Sequence, residues 1–159
     1  MLTDLNAQFG GPTRTEAPGQ TRDFTPSLRN FQQPRVLVVD DESLVRWSLA
    51  ETLGARGYDV VESADAASAI STLLSSRGRI AVVLLDLCLP DADDLRVLKA
   101  LRQMSPETPV ILMTAHGTRE LTAEALRFGA FTVLDKPFEL DDVGSVVECA
   151  LRARRQSVA

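Results

Sequence analysis

From Arg35 onward the chain alternates between two textures. Short apolar runs rich in β-branched residues, at 36–39, 58–61, 80–85, 110–113 and 130–134, are each followed by a longer amphipathic stretch. The runs have the length of strands, and their unbroken apolar character is that of strands buried on both faces. The stretches between them predict helices over 43–55, 65–76, 91–104, 118–127 and 139–154. Gly57, Gly78, Pro109 and Gly129 mark joins where a helix gives way to the next strand. Strands and helices alternating in this way predict an α/β fold, a parallel sheet covered on both faces. In the third helix Leu95, Leu98 and Leu101 share a face, with Lys99 and Arg102 beside them. Leu121, Ala125 and Phe128 form a weaker face of the same kind in the fourth. Trp47, inside the first helix, is read as a core residue on its large apolar ring.

In an open parallel sheet, chemistry collects beyond the carboxyl ends of the strands. The first run is followed by Asp40, Asp41 and Glu42, the third by Asp86, and the fourth by Thr114, Ala115 and His116. The fifth is followed by Asp135, Lys136 and Pro137, the second only by Glu62 and Ser63. Taken singly, each has an ordinary reading: an Asp caps a helix or turns the chain, and a lysine is solvated. Their joint arrival at one edge is another matter. Two like charges about 4 Å apart repel by about 4 kcal/mol at an effective dielectric near ~20, so one takes up a proton or a cation lies between them. Oxygen donors with room for water suit magnesium, with manganese as the alternative. A cation, a lysine and a hydroxyl around one carboxylate make a phosphoryl site in which that carboxylate is the nucleophile. Asp86, at the end of the most apolar run, is the candidate.

Composition narrows the classes. The 159 residues have the length of one domain able to stand on its core. Cys88 and Cys149 are too few for a disulfide framework and match no zinc spacing, which fits a cytoplasmic location. The formal net charge of -5 argues against general binding to nucleic-acid backbones. The apolar runs fall far short of the ~20 residues of a membrane span. Residues 1–34 lack the apolar core of a signal peptide. They hold four of the eight prolines and show no period, so a flexible extension is expected there, with Phe9, Phe24 and Phe31 as its anchors for any docking. Arg152, Arg154 and Arg155 are read as complementing the dipole at the end of the last helix, not as a DNA-binding arm.

The segments VLVVDDE (36–42), VVLLDLCLPD (82–91), VILMTAHG (110–117) and GAFTVLDKPF (129–138) together resemble the receiver domain of bacterial two-component response regulators, most nearly the nitrogen-regulation class. Asp86 lies 28 residues before Thr114 and 50 before Lys136, which fits that family. The resemblance implies a flavodoxin-like, doubly wound (βα)5 sheet of order 2-1-3-4-5 over 35–155, with 156–159 as a short tail. It implies that Asp86 is the phosphoacceptor. Magnesium would be held by Asp41, Asp86 and the backbone carbonyl of Cys88, with Asp40 in the outer shell. Lys136 would pair with Asp86 or a phosphoryl oxygen. Thr114 would hydrogen-bond the phosphoryl group and draw its loop inward, past a small Ala115. The Lys136-Pro137 bond is similar to one that is cis in the family. The implied donor is a sensor histidine kinase or phosphotransfer protein. The implied output is a protein effector, or a second copy, at the face of the fourth helix, fifth strand and fifth helix. Neither direct DNA contact nor membrane association is expected, and with few residues after 155 a second domain is not expected either.

There are departures from the family pattern. Val133 stands where the family carries its switch aromatic, with Phe131 two residues earlier as a substitute, and Asp94 stands where glycine is common. Cys88 and His116 flank the expected phosphoryl position and either tune hydrolysis or are plain surface residues. Two alternatives follow: a phosphate sink without output, or a receiver-like binding module that is not phosphorylated. A phosphate-ester hydrolase resembling the haloacid dehalogenases would need a second aspartate where Cys88 stands.

Overall fold

The computed structural model describes residues 32–92 and 94–158. The expected extension, with Phe9, Phe24 and Phe31, falls almost wholly outside them, as does Asp93. The elements are β1 (Arg35–Val39), α1 (Ser43–Ala55), β2 (Asp59–Ser63), α2 (Ala66–Ser75), β3 (Ile80–Asp86), α3 (Arg96–Met104), β4 (Val110–Thr114), α4 (Arg119–Arg127), β5 (Thr132–Asp135) and α5 (Leu140–Val158). The five strands are parallel in the order β2-β1-β3-β4-β5.

Period-two alternation divides the apolar strand residues between two cores. Leu37, Val39, Val83, Leu85 and Leu112 face α2, α3 and α4, where Ala69, Leu73, Leu98, Leu101 and Ala125 meet them. Val36, Val38, Val82, Leu84, Ile111 and Met113 face α1 and α5 through Leu49, Leu53, Val143, Val147 and Ala150. Both faces of the central strands are thus covered, which is why their sequences carry no polar alternation. Gly129 has φ +96°, which lets the chain leave α4 and enter β5 where a side chain would strain it.

The chain leaves β1 outward to β2 and returns to β3 on the other side of β1. This reversal opens a crevice at the carboxyl ends of β1 and β3. Val39 pairs in register with Leu85, so Asp40 and Asp86 emerge side by side.

Five expectations need correction. The helix expected over 91–104 begins only at Arg96, because Ala92 bridges back to Leu89 and Asp91 turns toward α2. The strand expected from Ala130 begins at Thr132, and α5 continues to Val158. Trp47 is 58% exposed: the buried face of α1 is set by Leu49 and Leu53, and Trp47 lies out of phase with it. Arg154 is not a bystander of the helix dipole; its guanidinium donates to the carbonyls of Ile80 at 2.7 Å and Gly78 at 3.3 Å.

Candidate functional site

Three apolar strands end in the polar groups of the site, and the backbone fixes each of them. Asp40 follows β1; its N–H donates to the Ser63 carbonyl at 3.1 Å, and its Oδ1 accepts from the Glu42 N–H at 2.9 Å. Asp86 closes β3; its Oδ1 accepts from the Cys88 N–H at 3.2 Å. Lys136 follows β5; its N–H donates to the Thr114 carbonyl at 2.7 Å, and the Lys136-Pro137 bond is cis.

The side chains converge. Lys136 Nζ lies 2.7 Å from Asp40 Oδ2, 3.4 Å from Asp86 Oδ2 and 3.8 Å from Glu42 Oε1. Asp40 is fully buried and Asp86 is 5% exposed, so this pairing takes place away from bulk water. Carboxylate oxygens of Asp40, Asp41 and Asp86 all lie within 4.8 Å of one another. Asp41 is exposed, and among the described residues no hydrogen bond or ion pair holds its carboxylate.

Burial, and then the charge of Asp40, push the Asp86 carboxyl above its ordinary pKa; Lys136 and the Cys88 N–H oppose the rise without cancelling it. Burial pulls the Lys136 ammonium down, but its hydrogen bond to Asp40 and the charges of Asp40 and Asp86 hold it above the ordinary lysine value. Three carboxylates against one ammonium leave two negative charges, the complement of a divalent cation, and the donors are all oxygen. The carboxylates of Asp40, Asp41 and Asp86 therefore make a donor set that fits magnesium or manganese, with Asp40 also held by Lys136.

Thr114 is buried at the end of β4, and its Oγ1 accepts from the His116 N–H at 3.1 Å. Ala115 is exposed and lines an open cleft with Lys136 and Pro137. Phe131 is not brought to this edge. Its N–H donates to the Val110 carbonyl, at the amino end of β4, and Val133 is half-buried against the core. Cys88 and His116 are both exposed.

Sequence reasoning missed Arg46. It donates to the Asp40 carbonyl at 2.7 Å and pairs with Glu62 at 3.4 Å, tying the end of β1 to that of β2 through α1. Its place four residues after Glu42, on the half-buried side of α1, was the available signal.

The family model for the response regulator receiver domain matches residues 36–148. The chain is 37% identical over 121 residues to the DNA-binding transcriptional regulator NtrC of Escherichia coli, covering 76% of this chain and 25% of that protein. It is 31% identical over 114 residues to sporulation initiation phosphotransferase F of Bacillus subtilis, covering 72% of this chain and 90% of that one. Among solved structures it is similar to the signal receiver domain of a LuxO-type repressor protein from Vibrio parahaemolyticus, with a TM-score of 0.73, 29% identity, and coverage of 79% and 95%. The chain thus spans about a quarter of the length of the regulatory proteins it matches.

Proposed function

The chain belongs to the response regulator receiver domain family, and on that premise we propose that Asp86 takes a phosphoryl group from a histidine kinase or phosphotransfer protein. Receiver domains are signalling switches and not conventional enzymes. The observation that carries the proposal is Asp86 itself: a buried carboxylate at a strand end, with an ammonium 3.4 Å away and two further carboxylates beside it.

An Asp86 oxygen forms the new bond to phosphorus as the P–N bond of a phosphohistidine donor breaks, and the leaving imidazole takes up a proton. Magnesium bound by Asp41, Asp86 and the Cys88 carbonyl would offset the charge that the phosphoryl oxygens bring to this acidic edge. Lys136 is held at the same place and can turn from Asp86 to a phosphoryl oxygen. Thr114, whose Oγ1 accepts from the His116 N–H, can donate its hydroxyl hydrogen to the phosphoryl group, drawing the β4–α4 loop inward. The two arrangements of that loop would bias the α4–β5–α5 face, and through it a protein effector or a second copy. The match to the sporulation phosphotransferase over nine tenths of its length supports relay of phosphoryl groups as an activity of the receiver unit. Among the described residues no helix is long and apolar enough to cross a membrane.

The test is intact mass after mixing with magnesium and acetyl phosphate, with Asp86→Asn alongside. A single magnesium-dependent, hydroxylamine-labile phosphoryl adduct, absent from the variant, is expected. An adduct retained in Asp86→Asn would overturn the assignment. The half-buried Val133 in place of an aromatic favours a second reading, a phosphate sink without output. That reading expects the adduct to form while Thr114→Ala leaves partner affinity unchanged.

A further inference from the structure

α2 begins with an unusual division of labour. The side chain of its N-cap, Asp65, accepts from Ser68 N, at 2.7 Å. The N–H groups of Ala66 and Ala67 are taken by a residue from another part of the chain: Asp91 Oδ1 at 2.8 Å and Oδ2 at 3.0 Å. A helix leaves its first N–H groups without internal partners, so a carboxylate bridging two of them also meets the positive end of the dipole.

Asp91 sits at the tip of the β3–α3 loop, and the rest of that loop is fastened as well. At its root Leu87 N–H donates to the Met113 carbonyl at 2.9 Å, and Cys88 N–H to Asp86. At its waist Leu89 and Ala92 exchange both backbone bonds, at 2.9 and 3.3 Å, and the Leu89 side chain is in the core. Cys88 lies between root and waist. The far end of the latch matters equally. α2 follows β2, and the last residue of β2, Ser63, accepts the Asp40 N–H. Asp91 therefore joins the loop bearing the Cys88 carbonyl to the pair of strands bearing Asp40 and Asp41.

We propose that Asp91 is a positioning residue for the cation site: by latching the β3–α3 loop to α2, it sets the distance between the Cys88 carbonyl and the Asp41 carboxylate. The proposal rests on the reading above of those groups as magnesium ligands. It explains why the cap comes from this loop when Asp65 is already at hand.

The control is within the same helix. Asp65→Ala removes a cap of α2 without touching the loop, whereas Asp91→Ala removes both cap and latch. Three quantities are measured on wild type, Asp91→Ala, Asp91→Asn and Asp65→Ala: magnesium affinity by calorimetry without phosphodonor, metal-free amide exchange at Leu89, and Tm. Asp91→Ala is expected to weaken magnesium about tenfold, the scale of a lost outer-shell partner, and to speed Leu89 exchange. Asp91→Asn, whose amide oxygen can still accept, is expected to recover most of both. Asp65→Ala is expected to lower Tm and leave magnesium affinity unchanged. Equal magnesium loss in Asp91→Ala and Asp65→Ala, or no loss in either, would overturn the proposal. Wild type that binds no magnesium would overturn the ligand reading instead, while unchanged Leu89 exchange in Asp91→Ala would sink the latch by itself.

Discussion

The two loops that flank Asp86 and Lys136 are built in opposite ways. The β3–α3 loop is held at its root by β4, at its waist by the Leu89–Ala92 pair, and at its tip by Asp91 on α2, with Leu87 and Leu89 buried beneath it. The β4–α4 loop, from Ala115 to Thr118, is exposed throughout. Its internal tie is the His116 N–H on Thr114 Oγ1, and Thr118 is taken up in capping α4 through the Leu121 N–H. One loop can present a fixed carbonyl; the other can be redirected by the gain of a single hydrogen bond. Few buried apolar contacts and exposed backbone are what keep the local cost of opening low. A switch needs both kinds, a rigid platform for the charge and a weakly held element to report it.

The contrast can be broken most directly at Leu89. Leu89→Ala removes an apolar anchor of the fixed loop and is expected to cost about 2–5 kcal/mol in urea unfolding. A cost below that of an ordinary surface substitution would mean the loop is no platform.

Asp86→Asn sharpens the contrast from the loop's root. Because the folded protein raises the Asp86 pKa, its ionised form opposes folding: stability is fullest when it is protonated and falls as pH rises through that value. Asparagine should therefore stabilise the magnesium-free protein at neutral pH, read as a higher Tm than wild type. The difference should shrink as pH falls and Asp86 takes up its proton. Magnesium should raise the Tm of wild type and leave the variant's nearly unchanged.

Asp91 carries the reverse sign. The Ala66 and Ala67 N–H groups lower its pKa, so the latch persists above the ordinary carboxylate pKa and is lost as pH falls through the depressed value. Leu89 amide protection, followed down in pH, should drop in that acid range in wild type and show no such step in Asp91→Asn. The smallest effects belong to the open loop. His116→Ala should change stability by no more than about 0.5 kcal/mol. Gly117→Ala brings a Cβ to 2.0 Å from Asp135 Oδ1, but that side chain is exposed and free to turn, so the cost should stay below about 1 kcal/mol.

Hydrophobic pattern revealed the sheet well because strands buried on both faces leave an unbroken apolar run; β3 was expected over 80–85 and spans Ile80–Asp86. The acid cluster and Lys136 were legible for the same reason, since polar residues stand out where such runs stop. What pattern missed was non-local. Asp91 fits a helix start by local rules, and only the N–H groups of Ala66 and Ala67, 25 and 24 residues earlier, draw it away. Arg154 suits a helix end equally well until the carbonyls of Ile80 and Gly78 come within reach. Trp47 was misplaced by weighing size over phase.

The ion pair between Lys136 and Asp40 also has a history in time. Its partners are 96 residues apart, with Asp86 between them in sequence. A ribosome adding ~5–20 residues each second makes Asp40 about 5–20 s before the lysine, and both acids stand without it for about 2.5–10 s. Through that interval β1 and β3 can pair only by bringing like charges together, unless a proton or a cation from the surroundings intervenes. The emerging chain thus meets its own charge problem before the residue that relieves it has been made, and the last strand to arrive completes the site.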